Sequence, residues 1–389
     1  MSELYELPNG WEWKKLGDIS KKIFAGGDKP KEVSETITDN LNIPIFANGI
    51  KNNGLYGYTN IYKVDEECLT ISARGTIGFT VVRTEKFLPI VRLIVVIPNS
   101  TILSKILKYY LDYEIVGNTG SSIPQLTVPT VKKLNFPLPP LQEQKRIVSK
   151  LDSLFERIDK VIALHQKNID EANVFMGSVL NDVFEKLNAI ETISLKSITL
   201  KIGSGSTPRG GQKAYKTEGI SLIRSMNVHD DGFREKGLAF IDDEQAKKLN
   251  NVTIQENDVL LNITGASVAR CCMVDKNYLP ARVNQHVSIL RLKDEMYPKF
   301  LHYYLISPIV KAELLQSSSG GATREAITKS MLEEFKIPLV TLSKQQKTVT
   351  YLDSISKELE TIKQTQKEKM QTLVALKASI LDQAFRGKL

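Results

Sequence analysis

Side chains suited to gripping a ligand gather in short polar stretches: FANGIKNNG (46–54), SARGTIG (72–78), GSGSTPRGG (203–211), RSMNVHDDG (224–232) and RVNQHVS (282–288). In such stretches glycine lets a backbone approach a phosphate closely, and serine and threonine hydroxyls donate to it. Arginine, asparagine and glutamine reach base edges in paired hydrogen bonds. Each stretch alone is a common turn, but their recurrence at matching places in two halves of the chain is informative. The candidates for contact with a nucleic acid are Asn48, Lys51, Asn52, Asn53, Arg74, Thr76, Ser121, Ser122 and Gln125 in the first half. In the second they are Ser206, Thr207, Arg209, Arg224, Asn227, His229, Thr264, Asn284, Gln285, His286 and Arg324. The group Asn284, Gln285 and His286 fits either base recognition or a polar loop that satisfies its own backbone.

Catalytic chemistry finds no comparable footing. The sequence has no Walker phosphate loop, no H-E-x-x-H and no G-x-S-x-G turn, and its glycine turns lack the strand-to-helix setting of a dinucleotide site. His229 with Asp230 and Asp231 has metal-ligand types, yet no second cluster stands at a ligand spacing, so a solvated turn is expected. The three cysteines, Cys68, Cys271 and Cys272, form no C-x-x-C pair and leave one over, which argues against a disulfide framework and for a reducing, cytoplasmic setting.

The elements that must position these stretches follow from length and periodicity. At 389 residues, 42% of them hydrophobic and 25% charged, the chain should fold as at least two globular units. Its longest apolar run, Leu93 to Ile97, is far short of the roughly 20 residues of a membrane helix, and its start is acidic, so a soluble, unexported protein is expected. A net charge of +8 permits a polyanionic partner without demanding one.

An internal repeat sets the organisation. The segment PLPPLQEQKRIVSKLDSLFERIDKVI from Pro137 returns 201 residues later as PLVTLSKQQKTVTYLDSISKELETIK from Pro338, and the register runs ungapped to Phe184 and Phe385. Gln144 and Asp152 coincide with Gln345 and Asp353. Both copies carry a seam of apolar residues at spacings of three and four, predicting two long helices of roughly 45 residues and about 70 Å that pair as a coiled coil. Ser343 followed by Gln346 fits a capping box for the second. Fainter matches join Leu16 and Ile19 to Leu195 and Ile198, LTISARGTIG from Leu69 to LLNITGASVA from Leu260, and GSSIPQLT from Gly120 to GATREAIT from Gly321. The fold class expected is α+β: two mixed, mostly β domains, 1–140 and 188–342, and two helical spacers, 141–187 and 343–389, related by a pseudo-two-fold. These blocks carry net charges of +2, +3, −1 and +4 respectively, so any polyanion would be gripped by folded surfaces.

Copying the seam predicts antiparallel partners whose numbers sum to about 531, which sets Leu151 near Ile380 and Ile158 near Leu373. The polar seam residues common to both copies, His165 and Gln366, would either meet at the crossing or lie exposed where the seam loosens. Inserting four residues near Ile169 would lengthen such a spacer by roughly 6 Å.

The arrangement resembles the DNA specificity subunits of type I restriction-modification systems. The resemblance spans the whole chain: the opening LPNGWEWKKLGDI, the joint FPLPPLQEQKRIVSKLDSLFERIDKVI, the G-S-T-P turn, NQH, and the ending LDQAFRGKL. The joint's P-P-L-x-E-Q-x-x-I is specific to that family, and its second copy departs from it at Thr341 and Lys344. The resemblance implies a non-catalytic reader of double-stranded DNA, each globular domain recognising half of a split target. Its helices would space the halves and dock two methyltransferase subunits, with restriction subunits joining that core. S-adenosylmethionine, ATP and magnesium would belong to those partners. The alternative from another class is a non-enzymatic coiled-coil adaptor; a metal-dependent nuclease built on His229, Asp230 and Asp231 is the enzymatic rival.

Overall fold

The computed structural model describes residues 5–116, 125–188, 191–318 and 326–389. Ser121, Ser122 and Arg324 lie outside the described residues. The chain divides into two compact units, 1–166 with 367–389, and 167–366.

In the first unit the runs Ser20–Ala25, Ile94–Pro98, Cys68–Ile71 and Thr80–Arg83 form an antiparallel sheet in that order. A second sheet is ordered Leu55–Thr59, Ile43–Phe46, Leu88–Pro89, its last pairing parallel. Glu12–Lys15 pairs with Asn135–Leu138. The second unit repeats all three: Thr199–Ser204, Val287–Leu292, Val259–Asn262 and Cys271–Met273; then Ala239–Ile241, Ile220–Ile223 and Ala281–Val283; then Thr192–Ser194 with Lys336–Pro338. It adds a short hairpin, Val228–His229 with Gly232–Phe233.

The unbroken apolar run at Leu93 to Ile97 is explained by a sheet covered on both faces. Ile94 and Val96 join the core shared with the helices, whereas Val95 and Ile97 face the second sheet with Phe46 and Phe87. In the second unit Val259, Leu261 and Leu290 take the helix side, and Leu260 and Ile289 the other. This alternation corrects one match drawn from sequence. Leu69 pairs with Val96 and sits on the helix side, as Val259 does opposite Leu290, so Leu69 is equivalent to Val259 rather than to Leu260. In a strand a slip of one residue exchanges faces, which similarity of letters alone does not detect.

The long helices are Leu141–Asn188, 48 residues, and Leu342–Phe385, 44 residues. Each domain grips the helix that follows it through the same two devices. Gln144, fully buried, accepts from Leu103 N at 2.9 Å and donates to the carbonyls of Thr101 at 2.8 Å and Pro139 at 2.9 Å. Gln345, also fully buried, accepts from Tyr297 N at 2.7 Å and donates to Val340 at 2.9 Å and Glu295 at 3.3 Å. Asp152 receives Lys105 and Tyr109 at 2.6 and 2.5 Å; Asp353 receives Lys299 and Tyr303 at 2.8 and 2.6 Å. The far helix end completes each core. Phe385 packs edge-on against Tyr110 in the first unit, and Phe184 against Tyr304 in the second.

Within each unit the helix segments run antiparallel. Asp159 pairs with Lys377 at 2.5 Å in the first; in the second Asn173 meets Lys363 at 3.2 Å and Asn168 meets Gln366 at 3.5 Å. These residue numbers sum to 534–536, three to five above the expected 531. Leu151 is buried in the first unit's core, and Ile380 packs against that same core. Ile158 is buried, Leu373 is half-buried, and His165 and Gln366 are half-buried on their helices. The seam positions Val161 and Ile362 are 40% and 45% exposed, so apolar contact thins toward the helix middles. The expected cap also moves: Thr341, not Ser343, precedes the second helix, its hydroxyl accepting from Lys344 N at 3.4 Å. Among the described residues no helix is long and apolar enough to cross a membrane.

Candidate nucleic-acid interface

In the second unit three strand ends converge. Strand Ile220–Ile223 leads into 224–227, Val259–Asn262 into 263–270, and Ala281–Val283 into 284–286. The Asn262 amide donates to Ser225 O at 2.9 Å and Ser267 Oγ at 3.2 Å, tying the first two loops. Ile263 N donates to His286 O at 2.9 Å, tying the third. Thr264 Oγ1 hydrogen-bonds His286 Nδ1, and Gln285 Nε2 lies 3.1 Å from His286 Nε2. The G-S-T-P turn arrives through Thr207, whose hydroxyl donates to Gln285 Oε1 at 2.5 Å. Glycine is required at its first position: a Cβ on Gly205 would stand 1.8 Å from Val283 O.

The product is a cleft of about 640 Å³ lined by Ser225, Met226, Thr264, Ser267, Arg270, Gln285 and His286. Hydroxyl, amide, imidazole and guanidinium groups side by side offer the mixed donors and acceptors that base edges present. Next to it Ser206, Thr207, Arg209 and Lys248 line a second cleft of about 550 Å³, whose two cations suit a phosphate. Ser225, Ser267, Lys248 and Arg270 were not singled out from sequence. Arg270 follows the LLNITGASVA match by one position and could have been found there; Lys248 lies on a helix with no motif.

Other candidates turn inward and build the frame. Asn227 is fully buried, accepting from Arg224 N at 3.1 Å and donating to Arg234 O at 2.8 Å. Asn284 is buried and accepts from His286 N at 3.0 Å. Arg224 donates to Gly237 O and stacks over Tyr215 at 5.1 Å, and His229 Nε2 contacts Met226 O at 3.1 Å. Thus the polar-loop account describes Asn284, while Gln285 and His286 line the cleft. The grouping that suggested a metal is dispersed: Asp230 holds Cys271 N at 3.0 Å and pairs with Lys311, and Asp231 pairs with Arg234 at 3.0 Å. Among the described residues no three His, Cys, Asp or Glu side chains form a potential metal site.

The first unit gathers loops at the same strand ends. Asn48 accepts from Ala73 N and donates to Val91 O, both at 2.7 Å; Gly49 N donates to Ser72 Oγ at 3.3 Å. Leu126 N donates to Ala73 O at 3.0 Å, as Ile327 N donates to Ile263 O at 2.8 Å in the second unit. Arg74 is exposed and holds Gln125 Oε1 at 3.1 Å; Thr76 lies in the same loop, its hydroxyl buried without a partner. Lys51, Asn52 and Asn53 form an exposed turn. Gly26 repeats the role of Gly205, since a Cβ there would come within 2.8 Å of Pro89 O.

Residues 8–173 and 181–371 each match the family described as type I restriction modification DNA specificity domain. A Mycoplasma pneumoniae protein named as a type I specificity subunit is 33% identical over 172 residues, 42% of this chain and 51% of that protein; the match therefore spans about half the length of that relative. A Methanocaldococcus jannaschii protein named as the MjaX specificity subunit of a type I restriction enzyme is 26% identical over 439 aligned positions, covering 100% of this chain and 96% of the relative. A solved chain from a study of complex assembly and conformational transition of the type I restriction-modification system shares the fold, with a TM-score of 0.71 at 22% identity over 99% of this chain and 100% of that one. With two family domains covering most of its length, each carrying the same loop cluster on the same sheets, the chain belongs to the type I restriction-modification DNA specificity family.

Proposed function

We propose that this chain reads a bipartite DNA sequence for a type I restriction-modification complex, one domain to each half-site. The observation that carries this is the repetition of one scaffold with unlike tips. The two units share sheet order and helix anchors, yet the second presents Gln285 and His286 where the first has Val91 and Arg92, and Thr264 where the first has Arg74. A shared scaffold with different side chains at its edge is what reading two different half-sites requires, because base contacts specify and phosphate contacts only position. The chain itself is non-catalytic, and the helices set the spacer and dock two methyltransferase subunits. S-adenosylmethionine, and ATP with magnesium, act on the methyltransferase and restriction partners, in the cytoplasm.

The test is to map methylated adenines in DNA from cells carrying the chain and its methyltransferase, before and after exchanging residues 188–342 for another recognition domain. One half-site should change while the other stays. Altered specificity at both would refute the division, and methyl transfer by the purified chain alone would refute the non-catalytic role.

A further inference from the structure

Arg83 is 5% exposed, at the end of a strand whose outer neighbours are hydrophobic. Its guanidinium lies 3.4 Å over the Phe46 ring. Nε donates to Thr70 Oγ1 at 3.2 Å, one terminal nitrogen donates to Asn53 O, and the other stands 3.7 Å from Glu85. A buried guanidinium needs such partners, because its five donors are costly to leave unmade.

The partner of interest is the Asn53 carbonyl. Asn52 and Asn53 both adopt left-handed backbone, φ 49° and 53°, which costs a residue with a Cβ roughly 1 kcal/mol or more each. Local bonds close the turn, from Asn53 N to Ile50 O at 3.0 Å and Ala47 N to Gly54 O at 2.9 Å, but Arg83 ties it to the core. Lys51, Asn52 and Asn53 remain exposed at the tip.

The second domain shows that the fold itself does not need this cation. Because Leu69 pairs with Val82 and Val259 with Met273, Arg83 is equivalent to Val274; Thr70 is equivalent to Leu260, and Phe46 to Ile223. All three replacements are apolar and pack in the corresponding core.

We propose that Arg83 is a positioning residue for first-half-site recognition: by holding the Asn53 carbonyl from beneath, it sets the 51–53 turn in the one conformation that presents its side chains to DNA. This rests on the DNA-reading function proposed above. The test uses the full chain assembled with its methyltransferase subunits, bearing Arg83→Met or the pair Thr70→Leu with Arg83→Val, which copies the second domain's core. Competition binding compares the cognate site with sites altered in one half. Discrimination at the first half-site should fall about tenfold, as expected for losing a charged hydrogen bond, with discrimination at the second unchanged. Amide exchange should quicken at residues 50–55. A folded variant that keeps full discrimination at the first half-site overturns the proposal, and so does failure of both variants to fold, which would make Arg83 a core residue only. Wild-type complex with no discrimination at the first half-site would instead defeat the underlying DNA-reading function.

Discussion

On the face where the two sheets of the first domain meet, Thr70 and Arg83 carry the polar groups, while Cys68 and Ile97 are apolar. At the equivalent places the second domain has Leu260 and Val274, and its charge stands instead at Asp258 and Arg291, joined at 2.8 Å through both carboxylate oxygens. The backbone frame is shared, but the buried charge has changed position. In each case it sits under the segment it holds. Arg83 reaches the turn at Asn53, whereas Arg291 reaches Thr253 O at 2.9 Å and Asp258 accepts from Gln255 N at 2.7 Å. Sheet packing constrains volume and apolarity; where a charge is tolerated is decided by the loop whose backbone groups it satisfies.

The largest expected effect tests that exchange directly. Asp258 is fully buried, so Asp258→Ala leaves Arg291 without its carboxylate and should destabilise the second domain by about 4 kcal/mol, measured by urea unfolding. Asp258→Cys with Arg291→Ile, which copies the first domain, should recover most of that loss. If the double variant is as unstable as the single, the cores are not interchangeable.

Next come the close-approach glycines. Gly205→Ala should cost about 3 kcal/mol and Gly26→Ala somewhat less, since the new Cβ meets backbone at 1.8 Å in one and 2.7 Å in the other. The reverse order in thermal melts would break the equivalence of the two turns. Gln144→Ala and Gln345→Ala, each stranding buried backbone partners, should cost about 2 kcal/mol apiece; unequal losses would show that the two helix anchors are not the same device.

The smallest effect concerns pH. Lys105 and Tyr109 correspond to Lys299 and Tyr303, so Lys108 of the first domain corresponds to His302, whose Nε2 is buried without a partner. Burial holds this imidazole below its ordinary value. The unfolded chain therefore takes up a proton that the folded domain resists. This site's contribution to the stability of the second domain should be complete above the ordinary imidazole value of about 6.5 and be lost progressively as the pH falls below it toward the depressed folded value. At this position the first domain has Lys108, paired with Asp112. His302→Gln should flatten the slope; an unchanged slope would place the acid sensitivity elsewhere.

Legibility in the sequence followed the range of the forces involved. The long helices could be read because their seam repeats every three to four residues, and the doubling because Gln144 and Gln345 stand at the same spacing after a shared Pro-Leu pair and a shared leucine. The parallel pairings of Ile43–Phe46 with Leu88–Pro89 and of Ile220–Ile223 with Ala281–Val283 left no such mark, since parallel partners are brought together by long connections. At the candidate interface Thr207, Gln285 and His286 were found as side chains in short polar stretches, but so were Asn227 and Asn284, which are buried. Composition does not say which way an asparagine faces.

The sequence by itself determined the duplication, the two long helices, the mixed domains and the family, because periodicity and repeated motifs are local and survive without a partner. Only the tertiary structure decided which strand faces carry which residues, that Leu69 answers to Val259, and which polar side chains are consumed in holding loops. It also decided which polar side chains bridge the two helices. The physical reason is that each of these depends on satisfying buried hydrogen-bonding groups and filling volume between segments far apart in the chain. Those constraints exist only once the segments meet.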